Sequence, residues 1–404
     1  MAGRIGGRPA AGPLRHLIKS AAYDPPFPFN SPGRRYFYSA RYALAGGIRA
    51  LGLKAGNGVL LPAYNCGVEI EPFSRLGIKP GFYRIGEDLR IDVDDLQNRL
   101  DGNIKAVLVT HFLGFPQPVE EIRRICDDRK VFLIEDCAHA LLSVRNGRYL
   151  GTFGDVAVFS LLKTLPVANG GILVLNNTDL ACPVNNVTPS RFSAFYYLAD
   201  LWRQKTAGKP VATVFERPLI SALWLIVNAL KLGLSASGRL TGKRTLSLTR
   251  PDSFSFIPDV MEWGISPSAL NLVNNTYLPS VREARRRNFN YLLERLKPPA
   301  WDGIFAFPAP VLPEGVCPLF FPLIVEGREK REELYLSLKG AGITSHPWWD
   351  TFHPSVPWNE FPEAVNLKDR LFGLPIHQDI QPGHLERMLL EVEKVCRGWR
   401  GSHV

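Results

Sequence analysis

Asp136 and Lys163 are the residues of this chain whose types and spacing suggest chemistry most directly. Asp136 ends the run VFLIED at 131–136, and Lys163 follows the run VAVFS at 156–160, which ends on Ser160. Both runs are short and almost wholly apolar, which is typical of strands buried on both faces of a parallel sheet. Ligands of such sheets gather at the carboxyl ends of the strands. The sequence therefore predicts a site where an acid, a hydroxyl and an amine meet.

These three side chains suit an aldehyde ligand that carries a pyridine ring and a phosphate. The Lys163 amine can form an imine with the aldehyde, and the Asp136 carboxylate can keep the ring nitrogen protonated, so that the ring withdraws electrons. Each residue also has a simpler interpretation. Lys163 could be an exposed surface lysine, and Asp136 could cap a turn after its strand.

Six further motifs follow one another in a recognisable order. They resemble the DegT/DnrJ/EryC1/StrS family of sugar aminotransferases, and the resemblance extends over most of the chain. It implies the fold-type I architecture of transferases that depend on pyridoxal 5'-phosphate (PLP), an α/β fold with a mostly parallel sheet in a large domain and a smaller C-terminal α/β domain. The motifs are YSARYAL at 38–44, VLLPAYN at 59–65, VTHFLG at 109–114, EDCAH at 135–139, GTFG at 151–154 and LPIHQD at 374–379.

The resemblance implies a catalytic role for three residues. Lys163 would carry PLP and shuttle a proton, Asp136 would pair with the pyridine nitrogen, and His139 would lie near the 3′-oxygen of the cofactor. His139 has an alternative as a buried packing histidine. Glu135 points to the opposite face of its strand, so we expect it to be structural, and we expect His111 to lie behind the site.

Other residues are implied to bind the phosphate. Ser160 corresponds to a phosphate-binding hydroxyl, and Ala40 and Arg41 occupy the segment whose backbone amides cradle the phosphate at a helix start. The Arg41 guanidinium could replace a hydroxyl that the family has there, or it could lie on the surface. From Ser160 to Lys163 the step is three residues, two fewer than is usual in the family.

Two positions depart from the family pattern. Cys66 stands where the family often places an aromatic ring against PLP, and Tyr64 is the candidate substitute for that ring. Asn169 stands where many members carry an acidic residue before Gly170 and Gly171. The departure at Cys66 affects how the cofactor ring would be held, and the departure at Asn169 affects how the substrate would be bound.

Composition narrows the function classes. The 404 residues are 46% hydrophobic and 21% charged, which predicts a globular protein with a large core. Six cysteines without a C-x-x-C pair or metal-finger spacing indicate reduced thiols, a cytoplasmic location and no metal site. The net charge of +10 favours anionic partners such as nucleotide-sugar phosphates. No nucleic-acid-binding module is recognisable, so nucleic acid is not expected as a partner.

Four regions are predicted along the chain. They are a loose basic arm rich in Gly and Pro (1–35), a PLP-binding large domain (36–190), an apolar helical insertion (191–262) and a small C-terminal domain that begins with a connecting helix (263–404). Strands are predicted near 58–61, 78–84, 105–110, 131–135, 155–160, 171–175 and 318–325, and helices over 39–53, 92–100, 119–128, 268–296, 329–339 and 384–399.

The insertion contains the run PLISALWLIVNALKLGL at 218–234. It is shorter than the roughly 20 residues that a membrane-spanning helix needs. We expect it to pack on the catalytic domain or on a second subunit. The alternative is an anchor in the membrane interface, with basic residues such as Arg217 and Arg239 on either side.

The function implied by the resemblance is a PLP-dependent aminotransferase. It would move an amino group from an amino acid, with glutamate as the expected donor, to a nucleotide-linked keto-sugar in the biosynthesis of surface or cell-envelope polysaccharide. A homodimer is implied, because residues of the second subunit complete the active sites of the family. Two alternatives are a PLP enzyme with a non-sugar or membrane-linked acceptor, and a catalytically silent scaffold with the same fold.

Overall fold

The computed structural model describes residues 4–9, 23–182, 187–189, 256–297, 301 and 303–401. Buried apolar side chains in these stretches form two clusters, a larger one around a seven-stranded sheet and a smaller one in the C-terminal part. None of the helices in these stretches is both long enough and apolar enough to cross a bilayer. The predicted insertion lies outside the described residues except for 256–262, so the run at 218–234 is not part of this description.

The large sheet confirms the predicted α/β class. Five of its strands are parallel, in the spatial order β8-β5-β4-β2-β3, and β9 and β1 continue the sheet as antiparallel neighbours beyond β8. The strands are β1 (Arg34–Phe37), β2 (Gly58–Pro62), β3 (Lys79–Tyr83), β4 (Ile104–Thr110), β5 (Phe132–Asp136), β8 (Val156–Ser160) and β9 (Gly171–Leu175), with β6 (Val144–Arg145) and β7 (Arg148–Tyr149) as a separate hairpin.

The helices of the large domain connect these strands. The first helix, at 40–50, packs closely on the sheet, because Gly46 and Gly47 have no side chains to separate the helix from the strands. A Cβ atom at Gly46 would lie 2.5 Å from the Phe37 ring. This contact fixes where that helix starts, at the carboxyl edge of the sheet. The helices are α1 (Ala40–Ala50), α2 (Ile70–Arg75), α3 (Val93–Asn98), α4 (Val119–Arg129) and α5 (Leu161–Thr164).

The C-terminal part has its own sheet of three antiparallel strands in the order β10-β12-β11, with helices packed against it. Its strands are β10 (Phe320–Ile324), β11 (His346–Pro347) and β12 (Leu371–Pro375), and its helices are α6 (Pro267–Asn274), α7 (Leu278–Leu296), α8 (Arg328–Gly340), α9 (Pro362–Arg370) and α10 (Pro382–Gly401).

The single helix predicted over 268–296 is wrong, because the structure contains two helices there. The chain leaves the helical conformation at Asn275 and re-enters it at Leu278, with Pro279 in the first turn of α7. Proline is accepted in a first turn, where its missing N–H has no intrahelical role, but not in a helix interior.

The described parts of the N-terminal arm are not loose. Ile5 is buried in the smaller core and exchanges backbone hydrogen bonds with Gly342 and Thr344. The Tyr23 hydroxyl donates to the backbone oxygen of Thr276 at 2.8 Å. Ile5 and Tyr23 therefore attach these two segments to the C-terminal part, which their glycine-rich composition does not indicate.

Candidate active site

The carboxyl edge of the large sheet brings the predicted residues together. Asp136 ends β5, and Ser160 ends the neighbouring strand β8. Ala40 begins α1 directly after β1, and Cys66 lies in the segment that follows β2. Because parallel strands share an edge, residues that are distant in sequence meet at one place.

Lys163 lies against His139, with 2.7 Å between its Nζ atom and the Nε2 atom of the histidine. The backbone N–H of Leu113 donates to His139 Nδ1 at 3.3 Å, so the neutral ring carries its hydrogen on Nε2. Burial, and the nearby Lys163 charge, lower the pKa of His139 well below its usual value. With its hydrogen on Nε2, a neutral His139 can donate to the Lys163 amine only when that amine carries a free lone pair.

Asp136 is a buried acid with an unusual affinity for protons. Burial raises its pKa to about 6, and Glu69 adds to the rise, whereas Lys163 and the hydrogen bond from the Ala138 amide oppose it. That amide donates to Asp136 Oδ1 at 2.9 Å, the short-range bond expected of an aspartate in a turn. The turn interpretation and the site interpretation of Asp136 are thus compatible.

The short step from Ser160 to Lys163 is one helical turn. Ser160 is the N-cap residue of α5, which starts directly where β8 ends, and Lys163 is the third residue of that helix. Residues three apart in a helix lie on the same side, so the hydroxyl and the amine face the same region. Ser160 is buried, and Lys163 is half-buried.

The first turn of α1 is held close to the start of β9. A Cβ atom at Gly171 would lie 2.3 Å from the carbonyl carbon of Ser39 and 2.4 Å from the backbone nitrogen of Ala40, so only glycine fits. The first amides of any helix have no partner within it and can bind an anion. Arg41 is half-buried there; burial lowers its pKa, and Cys66 is among the neighbours that oppose the change.

Cys66 and Tyr64 are both held by contacts within the protein. The Cys66 thiol donates to Glu69 Oε2 at 3.0 Å, and burial raises its pKa, with Glu69 adding to the rise. Tyr64 is fully buried and its hydroxyl donates to the backbone oxygen of Trp348. Its ring packs 5.1 Å from the Trp349 ring, so it supports a second layer of aromatic residues.

That layer is a tryptophan wall formed by Trp348 and Trp349, which follow β11. The two rings are stacked with centroids 5.3 Å apart, and they lie 5.4 Å and 5.5 Å from the His139 ring. No sequence pattern indicates this wall. The pair is visible as a WW dipeptide, but no spacing connects it with position 139, since the contact spans both domains.

Glu135 and His111 lie behind the site. Glu135 is fully buried and accepts hydrogen bonds from the amides of Gly151, Phe153 and Gly154, and His111 Nε2 lies 3.0 Å from its carboxylate. These bonds fix the GTFG segment, so Glu135 has a structural role. Asn169 is likewise engaged, because its Oδ1 atom accepts from the Ser266 amide at 2.9 Å.

The turn that carries Lys163 is fastened from the C-terminal part. The backbone oxygen of Thr164 accepts from Arg285 Nη2 at 3.3 Å and from Gln378 Nε2 at 3.1 Å. Arg285 is almost fully buried and also donates to Leu319 at 2.9 Å. Gln378 belongs to the LPIHQD motif. This motif therefore helps to hold a turn that lies 214 residues earlier in the chain.

Comparison with known proteins finds a family model that matches part of this chain. Residues 37–188 match the model of the DegT/DnrJ/EryC1/StrS aminotransferase family. Over 134 residues, 32% of this chain, the sequence is 35% identical to the GDP-perosamine synthase of Vibrio cholerae and 33% identical to that of Escherichia coli O157:H7. The aligned part covers only 36% and 37% of those two proteins, so the chain spans about a third of the length of the curated relatives it matches.

Solved structures extend the likeness to the fold of the whole chain. The aminotransferase TlmJ from Streptoalloteichus hindustanus has a TM-score of 0.62 at 21% identity, with 91% of this chain and 87% of that chain covered. PseC from Helicobacter pylori has a TM-score of 0.62 at 16% identity, with 90% and 87% covered. The predicted fold-type I architecture is thereby confirmed. Across residues 37–188, the chain is similar to the DegT/DnrJ/EryC1/StrS aminotransferase family.

Proposed function

We propose that this protein is a PLP-dependent aminotransferase that moves an amino group from an amino acid, with glutamate as the donor, to a nucleotide-linked keto-sugar. The observation that carries the proposal is the 2.7 Å approach of Lys163 to His139 at the sheet edge where Asp136 ends β5. Two relatives are named for a GDP-linked product, which supports the substrate class. Biosynthesis of surface or cell-envelope polysaccharide in the cytoplasm is the setting that fits.

The residues at the sheet edge fit the chemistry of PLP. An amine, a buried acid and a helix start are the three groups that its aldehyde, ring nitrogen and phosphate require. Lys163 would hold the aldehyde end and Asp136 the ring nitrogen, with His139 near the 3′-oxygen. The Ser160 hydroxyl and the first turn of α1, at Ala40 and Arg41, would hold the phosphate. The close approach of that turn to Gly171 supports this assignment.

When bound, PLP supplies an aldehyde that takes up amino groups and a ring that stabilises negative charge on the reacting carbon. The Lys163 Nζ atom would accept the proton of the reacting carbon with its lone pair, and its 2.7 Å contact with His139 Nε2 holds the amine at the site. Asp136 would hold a proton on the ring nitrogen, and a carboxylate whose pKa is raised to about 6 can share that proton with the nitrogen. The tryptophan wall packs against His139, whose side chain is buried.

Two other functions remain as alternatives. A PLP enzyme with a non-sugar or membrane-linked acceptor is suggested by the apolar insertion and by the departures from the family pattern at Ala40, Arg41, Cys66 and Asn169. A catalytically silent scaffold would keep the fold without attaching the cofactor. The relatives' names support neither of these, and both differ from the proposal in a measurable outcome.

The test begins with the purified protein and added PLP. We expect a visible absorbance band of lysine-bound cofactor, and borohydride should then fix the cofactor on Lys163, as found by peptide mass mapping. Lys163→Ala should lose the band, the fixed cofactor and turnover. Glutamate should convert the cofactor to its amine form, which a nucleotide-linked keto-sugar should reverse. Cofactor fixed on another lysine would contradict the assignment, and no band at all would favour the silent scaffold.

A homodimer is part of the proposal. Residues of a second subunit complete the active sites of the family, and the chain has a mass of 45.1 kDa. The purified protein should therefore have twice that mass in analytical ultracentrifugation. A monomer that still turns over would require a site that one subunit completes.

A further inference from the structure

Lys368 is a buried lysine that the proposed chemistry does not use. It belongs to α9, its side chain is fully buried, and its Nζ atom donates to the backbone oxygens of Asn65 and Thr351, each at 2.7 Å. Among the described residues, no carboxylate forms an ion pair with it. A buried ammonium without such a partner is costly, so its retention points to a specific role for its contacts.

Four aromatic rings surround the ammonium group. Its nitrogen lies 4.9 Å from the ring centre of Trp358, 5.3 Å from Phe352, 5.6 Å from Tyr64 and 6.0 Å from Trp349. Cations are attracted to the faces of aromatic rings within about 6 Å, and the attraction is stronger where water is excluded. The lysine therefore organises the aromatic side chains around it.

These contacts connect Lys368 with the site. Asn65 directly precedes Cys66 after β2, whereas Thr351 lies two residues after Trp349 in the tryptophan wall. The Trp349 ring contacts His139 at 5.5 Å, and His139 contacts Lys163. One nitrogen atom thus joins α9, the segment after β2 and the segment that carries the wall.

We propose that Lys368 is a positioning residue, whose positive charge holds the tryptophan wall in place against His139 and Lys163. The positioning itself follows from the contacts above. Its consequence for turnover rests on the proposed aminotransferase function. Loss of the charge releases Trp349 and the segment around Thr351. His139, which contacts both Trp349 and Lys163, is then no longer held in one position.

The surroundings of Lys368 also make its charge sensitive to pH. Burial lowers its pKa to about 8, while Cys66, Glu69 and Asp350 oppose the change. From α8, Arg331 donates to the backbone oxygen of Lys368 and also pairs with Glu332. His353, in the segment after the wall, pairs with Glu71. The charge that attracts the rings is therefore present at pH 7 and largely lost by pH 9.5.

Lys368→Met tests this role, because methionine keeps much of the volume and removes the charge. Without cofactor, the tryptophan fluorescence of the natural protein should change in a single step near pH 8, and the variant should lack this step. Its near-UV circular dichroism should weaken, and kcat should fall about ten- to a hundredfold, as expected for a small displacement of reacting groups. Lys339→Met is the matched control, since Lys339 also faces a ring, Tyr335, but is exposed.

The idea is overturned if Lys368→Met folds and keeps the fluorescence step, the near-UV spectrum and kcat of the natural protein. If this variant does not fold, the natural protein decides. A fluorescence step near pH 8 accompanied by loss of turnover supports the role, and a flat signal from pH 7 to 9.5 overturns it. Borohydride mapping of Lys163 is a separate measurement, so failure of the proposed function would be recognised independently.

Discussion

Burial sets the protonation states of the side chains at the site. It keeps the His139 ring neutral, raises the pKa of Asp136 to about 6 and keeps the Cys66 thiol protonated. Asp136, whose pKa is about 6, is then a buried acid that can exchange a proton with a ligand near neutral pH. Cys66 has no thiolate to offer, so we assign it no chemical role.

The raised pKa of Asp136 predicts how stability depends on pH without cofactor. Its pKa is 3.8 in an unfolded chain and about 6 in the folded one, so its contribution is fully present below pH 4 and is lost as pH rises through 6. A difference of about two pKa units corresponds to roughly 3 kcal/mol in the free energy of unfolding. Asp136→Asn should therefore be more stable than the natural protein in urea at pH 8, by up to that amount, and similar at pH 4.

The same substitution should abolish most turnover. The amide cannot hold the proton on the ring nitrogen of PLP, and we expect kcat to fall by orders of magnitude while cofactor binding weakens by about 2 kcal/mol, the value of a hydrogen bond to a charged group. Turnover assays and cofactor titrations measure the two effects. Near-natural turnover would mean that another acid serves the ring nitrogen.

The donor role of His139 can be tested with a pair of variants. His139→Gln keeps an N–H group for Lys163, whereas His139→Phe keeps a ring for the tryptophan wall and loses the donor. Loss of one hydrogen bond is worth about 1 to 1.5 kcal/mol, so attachment of PLP at pH 7.5 should slow about tenfold in the Phe variant. Stopped-flow absorbance measures the rate, and equal slowing in both variants would contradict the role.

The residues that could be predicted from the sequence were those close to a strand end. Asp136, His139 and Lys163 each follow a buried apolar run within a few positions, so their meeting at one edge follows from the sheet. Trp348, by contrast, meets His139 across 209 positions of sequence, with no local pattern to indicate it. Lys368 was missed for the same reason, because its acceptors lie in two separate segments.

Among the elements, the parallel strands were the easiest to predict. Strands such as β2 and β8 are buried throughout, and burial on both faces requires an unbroken apolar run. The edge strand β1 was missed because Arg34 and Arg35 begin it, and such charges are typical of sheet edges rather than interiors. The break between α6 and α7 was missed because Pro279 lies within an otherwise continuous helical pattern.

The close contact of Gly171 with the first turn of α1 should make cofactor binding depend on the packing of that turn against the sheet. In Gly171→Ala the new Cβ atom would meet the backbone of Ser39 and Ala40 at 2.3 to 2.4 Å, so the first turn of α1 has to move. We expect a loss of stability of about 1 to 3 kcal/mol and weaker binding of PLP through its phosphate. Fluorescence titration measures the affinity. Gly102→Ala is the control, because no atom lies within 4 Å of its Cβ position.

The hydrogen bond from Arg285 to Thr164 connects α7 with the turn that carries Lys163. Arg285→Met removes the donor to the buried carbonyl oxygens of Pro318 and Leu319 and leaves Thr164 with its donor Gln378. This should lower the free energy of unfolding by about 2 to 4 kcal/mol. Arg287→Met on the exposed side of the same helix should change it by less than about 0.5 kcal/mol. Urea unfolding compares them, and equal effects would contradict the proposed fastening.

The whole molecule combines two cores that share the site. We propose the division predicted from the sequence, with an arm over 1–35, a large domain over 36–190, an insertion over 191–262 and a small domain over 263–404. The large domain provides Lys163 and Asp136, and the small domain provides the tryptophan wall. Neither domain alone holds every group of the site, so we expect separate expression of the two to give no turnover.

The run at 218–234 decides whether the molecule works at a membrane surface. Seventeen residues at helical rise extend roughly 25 Å, too short to cross a bilayer comfortably but long enough to lie in its interface. We expect packing within the protein or against a second subunit. The natural protein should then ignore liposomes of anionic lipid, and replacing Leu223, Leu225 and Ile226 by Ser should unfold it or dissociate the dimer. Sedimentation with liposomes that this triple change abolishes, with the dimer and PLP binding intact, would instead establish an anchor.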